Sequence, residues 1–204
     1  MRNGPSARER NRRSILDAAH DVLRDNPEAT LDDVAARAGV VRRTVYGHFA
    51  GRQELVAELV RSAAADFTAR IGDVRTDSPD PAAELAATVI RTWSTARRYG
   101  PLVMLARRTM DDEVRAAMAP FAAVMARLVG RGQELGVFAA HTDPRMLAEV
   151  LEGGSAAYLR AAEGGRWDGH ETDVAFGHLL TLGVRPEDAD AAVRRARVAS
   201  PDAS

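Results

Sequence analysis

Between Ile15 and Val184 the apolar residues of this chain recur in steps of three and four, and glycine or proline cuts the pattern into short runs. That spacing gathers apolar side chains on one face of a helix, whereas a half-buried strand needs them at every second position. Aromatic residues make up only 5% of the 204 positions, and alanine, leucine and valine dominate, which suits packed helices better than strands. The chain is therefore expected to be all-α, with about nine helices and no strand.

The first run, Ile15, Ala19 and Val22 flanked by Leu16, Ala18 and Leu23, stops at Asn26-Pro27. Thr30 then precedes LDDVAARAG with Asp33 three residues on, a capping-box pattern, and Gly39 closes that helix after two turns. VVRRTVYGHF, Val40 to Phe49, follows at once. A short helix closed by glycine with a second helix directly behind it is the helix-turn-helix arrangement of nucleic-acid readers. Val34, Ala35, Ala38 and Val40, with Val45 and Phe49, are spaced so that the two helices clasp each other and the first. That leaves Arg42, Arg43, Thr44, Tyr46 and His48 as polar heads for which a core helix has no use.

Beyond Gly51, the residues Val56, Val60, Ala63, Phe67 and Ile71 mark one long helix ending at Gly72. After the loop DVRTDSPDP come Leu85, Val89, Trp93 and Ala96, a helix that Tyr99-Gly100-Pro101 is expected to break. PLVMLARRTM reads as a short buried helix, and Val114, Met118, Phe121, Met125 and Leu128 as the stripe of the next, with Pro120 a kink or a break. Thr142-Asp143-Pro144 caps a helix carrying Leu147, Leu151, Gly154, Tyr158 and Ala161, and Val174 to Val184 reads as the last apolar helix. Residues 1–8 are expected to be a disordered basic arm and residues 187–204 a polar tail.

Several functions are excluded or disfavoured. With no cysteine there are no disulfides, thiolate metal sites or cysteine nucleophiles. No run of about 18 apolar residues is present and the start lacks the apolar stretch of a signal peptide, so a cytoplasmic protein without a membrane partner is expected. No Gly-rich phosphate loop, HExxH or GxSxG motif occurs, and neither an enzyme nor a cofactor is expected. His170, Glu171, Asp173 and His178 span a loop and a helix and read as solvated or packed, with no metal site. The net charge of -1 hides an asymmetry: residues 1–52 carry ten arginines against seven acids, so the head is +3 and the remainder -4. No lysine occurs, and arginine's planar fork suits phosphates and guanine edges equally well.

Thr30 to Leu55, TLDDVAARAGVVRRTVYGHFAGRQEL, resembles the helix-turn-helix signature of the TetR family of bacterial transcriptional regulators. The likeness lies in T-x-x-x-V-A-x-x-A-G-V, then x-x-x-T-x-Y-x-H-F, then a basic residue and E-L. The resemblance implies a DNA-binding head, here residues 9–52, and a larger effector-binding and dimerisation domain, residues 53–186. Arg42, Arg43 and Thr44 fall in the first turn of the second helix, the part that enters a major groove, and are the candidates for base contact. The resemblance implies that Tyr46 and His48 hydrogen-bond the DNA backbone, although a lone histidine is more often structural. Thr30 is a candidate phosphate contact, and Arg52 stands where the family usually has lysine. Where the family commonly has serine or threonine this chain has Val41, so the reading helix is expected to start without an oxygen cap, at a cost of about 1 kcal/mol. The arm RERNRR, with Arg8, Arg10, Arg12 and Arg13, is either a solvated tail or a minor-groove contact.

For the larger domain the resemblance implies a small-molecule effector and a homodimer. Phe67, Trp93, Met104, Met110, Met118, Phe121 and Met125 supply adaptable and aromatic surface for a pocket, or plain core. Gly153, Gly154, Ala157, Tyr158, Phe176, Gly177 and Leu180 offer a close-packing face for a second copy, or pack within one chain. A two-fold dimer would present two reading heads to a palindromic double-stranded operator. The expected function is thus a DNA-binding transcriptional regulator, a repressor released by ligand. The competing reading is a small helical ligand-binding protein or enzyme that retains a helix-turn-helix without regulatory use.

Overall fold

The structure is a computed structural model that describes residues 6–72 and 74–199. Among the described residues it is all-helical, with nine helices and no strand. Two compact units are distinguished by their internal packing: the chain up to Ala63 together with Pro101–Ala116, and Ala64–Gly100 together with the chain from Ala117 onward.

In the first unit, α1 (Ala7–Asp25) starts at a Ser6 cap whose hydroxyl accepts from Glu9 N while Glu9 Oε2 accepts from Ser6 N. This capping box places RERNRR inside the helix, which corrects the expectation of a disordered arm through residue 8 and of basic residues lying ahead of the helix. The rest of that arm, residues 1–5, lies outside the described residues. α1 buries Ile15, Ala18, Ala19 and Leu23, and packs on α2 (Leu31–Ala38). Gly39 ends α2 at φ 66°, in the left-handed region, with its amide on Ala36 O and the Val40 amide on Ala35 O. Only glycine takes that φ without a Cβ penalty, so the chain turns in one residue into α3 (Arg42–Tyr46), which packs on α2. Val34, Ala35, Val45 and Phe49 are buried as expected, while Ala38 and Val40 are only half-buried. Fully burying side chains such as Val45 and Phe49 stabilises by roughly 1.5 to 3 kcal/mol each. α4 (Arg52–Arg70) follows, with Leu55, Val56, Leu59 and Val60 buried.

α5 runs unbroken from Pro81 to Ala106 through Tyr99-Gly100-Pro101, where the sequence suggested a break and a separate short helix. Gly100 is there for proximity rather than termination: a Cβ on it would lie 2.6 Å from Leu159 Cδ1. α6 (Asp111–Glu134) likewise continues through Pro120.

The second unit gathers a core from α5, α6, α7 (Pro144–Glu163), α8 (Glu171–Thr181) and α9 (Pro186–Ala199), including Leu85, Trp93, Met125, Leu128, Phe138, Leu151 and Leu179. Helix α9 corrects the expectation of a polar tail from residue 187. Its buried side is Ala189, Ala192, Val193 and Ala196, small residues interleaved with aspartates and arginines, and it packs on α8. The helix count therefore agrees with expectation through two compensating differences: two expected helices are one, and an unexpected ninth exists.

Candidate nucleic-acid interface

Val45 and Phe49 fix which way α3 faces, because both are buried beneath it while the positions between them are not. Arg42, Arg43 and Tyr46 are exposed, and Thr44 and His48 half-buried. Val41 precedes α3 in an extended conformation, φ -73° and ψ 148°, makes no side-chain cap and is 66% exposed. The missing oxygen cap anticipated from the sequence is thus a feature of the fold.

The candidate residues are not equally available. Arg42 Nη2 donates to Asp32 Oδ2 in the first turn of α2. Arg43 makes no side-chain hydrogen bond or ion pair among the described residues. Thr30 is fully engaged in its capping box: its amide and hydroxyl donate to Asp33 Oδ2 at 2.8 and 2.7 Å, and its hydroxyl accepts from Asp33 N at 3.3 Å. Those bonds hold the Asp33 carboxyl below the usual carboxylate range, the backbone bond from Thr30 being the larger cause. A phosphate at Thr30 would have to compete with this carboxylate.

Arg52, the first residue of α4, points its fork back at the α1–α2 connection, with Nε on Ala29 O at 3.2 Å and Nη2 on Pro27 O. It secures the segment from which α2 begins. Arg12, from the stretch expected to be an arm, lies over the Phe49 ring with Cζ 5.4 Å from the centroid and pairs with Glu58 Oε1 at 2.7 Å. Burial alone would raise the Glu58 pKa, but hydrogen bonds from Arg12 and Arg61 outweigh it and hold the carboxyl below its ordinary value. Arg12 thus covers the core of the head and ties α1 to α4. His48 has its pKa lowered, first by burial and then by the nearby charges of Arg8 and Arg12. It sits as a neutral imidazole in a basic setting, able to donate one hydrogen bond to an acceptor such as a phosphate oxygen.

Met104 and Met110 belong to the first unit, and Phe67, Trp93, Met118, Phe121 and Met125 to the second. In the latter, the Phe67 and Phe121 rings pack at 5.2 Å, and Trp93 meets Trp167 edge-on at 6.0 Å. Tyr158 adds to that group, 5.1 Å from Trp167. Trp167, in the loop after α7, was not picked out from the sequence; an aromatic amid GGRWDGH was its only signal.

The small-residue face divides in two. Gly154 lies against His178, Gly177 against the Tyr158 hydroxyl, and Ser155 Oγ shares a 2.8 Å hydrogen bond with His178 Nε2, so these residues join α7 to α8 within the chain. On another side of α7, Met146, Val150, Gly153 and Ala157 stand exposed in steps of four, three and four, with Leu180 of α8 also exposed. Phe176 packs partly buried against the core. Among the described residues no group of three or more acidic or histidine side chains could hold a metal ion, and no helix is long and apolar enough to cross a membrane.

Residues 15–59 match the family model of bacterial regulatory proteins, tetR family. A stretch of 55 residues, 27% of the chain, is 54% identical to the HTH-type transcriptional repressor LfrR of Mycolicibacterium smegmatis, covering 29% of that protein. A stretch of 67 residues is 40% identical to the HTH-type transcriptional regulator TtgW of Pseudomonas putida, covering 50% of it. The chain thus matches half or less of the length of these relatives. Among solved structures, that of LfrR from Mycobacterium smegmatis in complex with proflavine superposes with a TM-score of 0.69 at 27% identity, over 87% of this chain and 97% of that one. The Bacillus subtilis FadR structure in complex with stearoyl-CoA has a TM-score of 0.71 at 16% identity, over 85% of this chain and 100% of that one, a likeness of fold.

Proposed function

We propose that this chain, whose head at residues 15–59 matches the family model of bacterial regulatory proteins, tetR family, is a DNA-binding transcriptional repressor released from its operator by a small molecule. The observation that carries the reading is the split character of α3 and the turn behind it, where Val45 and Phe49 are locked in the core while Arg42, Arg43, Thr44, Tyr46 and His48 remain at or near the surface. In this reading residues 9–52 are the DNA-binding domain and residues 53–186 bind effector and dimerise, with α9 completing their core. Arg42, Arg43 and Thr44 meet base edges, and Tyr46 and His48 meet phosphates, which fixes register without reading sequence. Thr30 and Arg52 support the head from within it.

The exposed face Met146, Val150, Gly153 and Ala157 with Leu180 is the proposed seam between two copies, which present two heads to a palindromic site in the cytoplasm. Effector binding releases DNA by favouring a state in which the heads no longer match the half-site spacing, which requires different affinities for the two states. The aromatic groups around Phe67 and Trp93 make proflavine, the ligand of the LfrR structure, a suitable first probe.

The test is fluorescence anisotropy with DNA from upstream of the chain's own gene. Affinity should fall with salt at a slope of about -0.9 per phosphate contact. Arg42→Ala with Tyr46→Phe should weaken binding at least about tenfold. Unchanged affinity would sink the assignment of α3. Ala157→Glu should give a monomer in size-exclusion chromatography; a persistent dimer would place the seam elsewhere.

A further inference from the structure

We propose that Asp32 is a specificity-determining positioning residue, whose carboxylate holds Arg42 in the conformation that meets a base edge. The proposal rests on the reading of α3 as the DNA-reading helix.

Arg42 is the first residue of α3, and its Nη2 donates to Asp32 Oδ2 across the turn from α2. The side chains differ in exposure, 70% for Arg42 and 39% for Asp32. Asp32 Oδ1 is buried and has no hydrogen-bond partner, so one carboxylate oxygen faces protein and the other faces the arginine. The guanidinium is therefore gripped from behind and open in front. The single contact engages one N–H. Enough donors remain, on Nε, Nη1 and the second Nη2 proton, for the paired bonds to guanine O6 and N7.

Two neighbouring features show why such a grip is needed. Val41 contributes no cap, so no side-chain oxygen within α3 orders its first turn. Arg43 makes no side-chain hydrogen bond or ion pair among the described residues and keeps its rotamer freedom. An exposed arginine loses that freedom when it binds a base, and a preset one loses less. The Asp32 charge also repels phosphates, which turns the pair away from the DNA backbone and toward a base edge; the carboxylate can itself accept from a cytosine amine. Asp32 thus converts one of two adjacent arginines from a mobile charge into a fixed reader.

The experiment takes the full chain and a pool of random-sequence duplexes. Base preference by position is measured for the wild type, Asp32→Asn, Asp32→Ala, Arg42→Ala and the double variant, with affinity at two salt concentrations. Arg42→Ala should flatten the preference at one position of each half-site. Asp32→Asn and Asp32→Ala should reduce preference at that same position by about tenfold and leave other positions unchanged. The double variant should be no flatter than Arg42→Ala alone. Thermal melts confirm folding, and Asp32→Asn, which keeps the side chain's shape, stands if Asp32→Ala unfolds. The proposal is overturned if the Asp32 variants keep the preference. It is also overturned if they bind every sequence more tightly with a salt slope steeper by about one contact, since Asp32 would then merely mask charge. If the wild type enriches no sequence, or Arg42→Ala keeps every preference, the DNA-reading role of α3 itself fails and this assignment falls with it.

Discussion

Val41 and His178 show how single side chains set local stability here. Val41 holds the cap position of α3 with extended backbone and an exposed isopropyl group, so serine fits without displacing anything in the core. Val41→Ser should raise stability by about 0.5 to 1 kcal/mol, read as a higher urea midpoint with unchanged slope. No gain would mean that the Arg42–Asp32 pair already orders that turn. His178 is buried between α7 and α8, and burial pushes its pKa down to about 4. Because the folded value lies below the unfolded value of about 6.5, the unfolded chain takes up the proton first. The contribution is therefore intact above pH 6.5 and lost as pH falls from there toward 4, amounting to about 3 kcal/mol in full. Denaturation at pH 7.5 and 4.5 should show the wild type losing more stability than His178→Gln; equal losses would remove the histidine as the cause.

At the level of elements, the head was legible because its signals are local. Thr30, Asp33 and Gly39 are cap and stop residues whose effect acts within one turn, and the structure uses each of them so. The partners of the site were not legible, since nothing in the spacing of Asp32 and Arg42, or of Arg52 and Pro27, announces that a turn brings them together. α9 was missed because alanine carries its buried side and charged residues stand between. The Gly100-Pro101 break was wrong because a local helix penalty, about 3 kcal/mol for an interior proline, is outweighed by packing along a helix whose glycine admits Leu159. Gly132 obeys the same logic more strictly. A Cβ there would stand 1.9 Å from Cδ2 of Phe138, a buried and rigid ring. Gly132→Ala should therefore destabilise by about 1 to 3 kcal/mol despite alanine's better helix propensity, measured by chemical denaturation. Net stabilisation would show that the Phe138 ring swings aside without cost.

For the whole molecule, the position of α9 means that the core of the second unit is completed late in the chain. Ending the chain after Arg185 removes the buried Ala189, Ala192, Val193 and Ala196 together with the Arg195–Asp80 ion pair at 2.8 Å. The shortened protein should aggregate or melt about 10 °C or more lower by calorimetry, whereas an unchanged melting temperature would restore the polar-tail reading. The two tryptophans have a consequence of another kind. The sequence holds only Trp93 and Trp167, and they meet edge to face at 6.0 Å in one unit, beside Tyr158. Indoles that close share their excited states, so emission excited at wavelengths that only tryptophan absorbs reports on that one spot. Helices α1 to α3 hold no tryptophan, so that emission follows the second unit without attaching a dye.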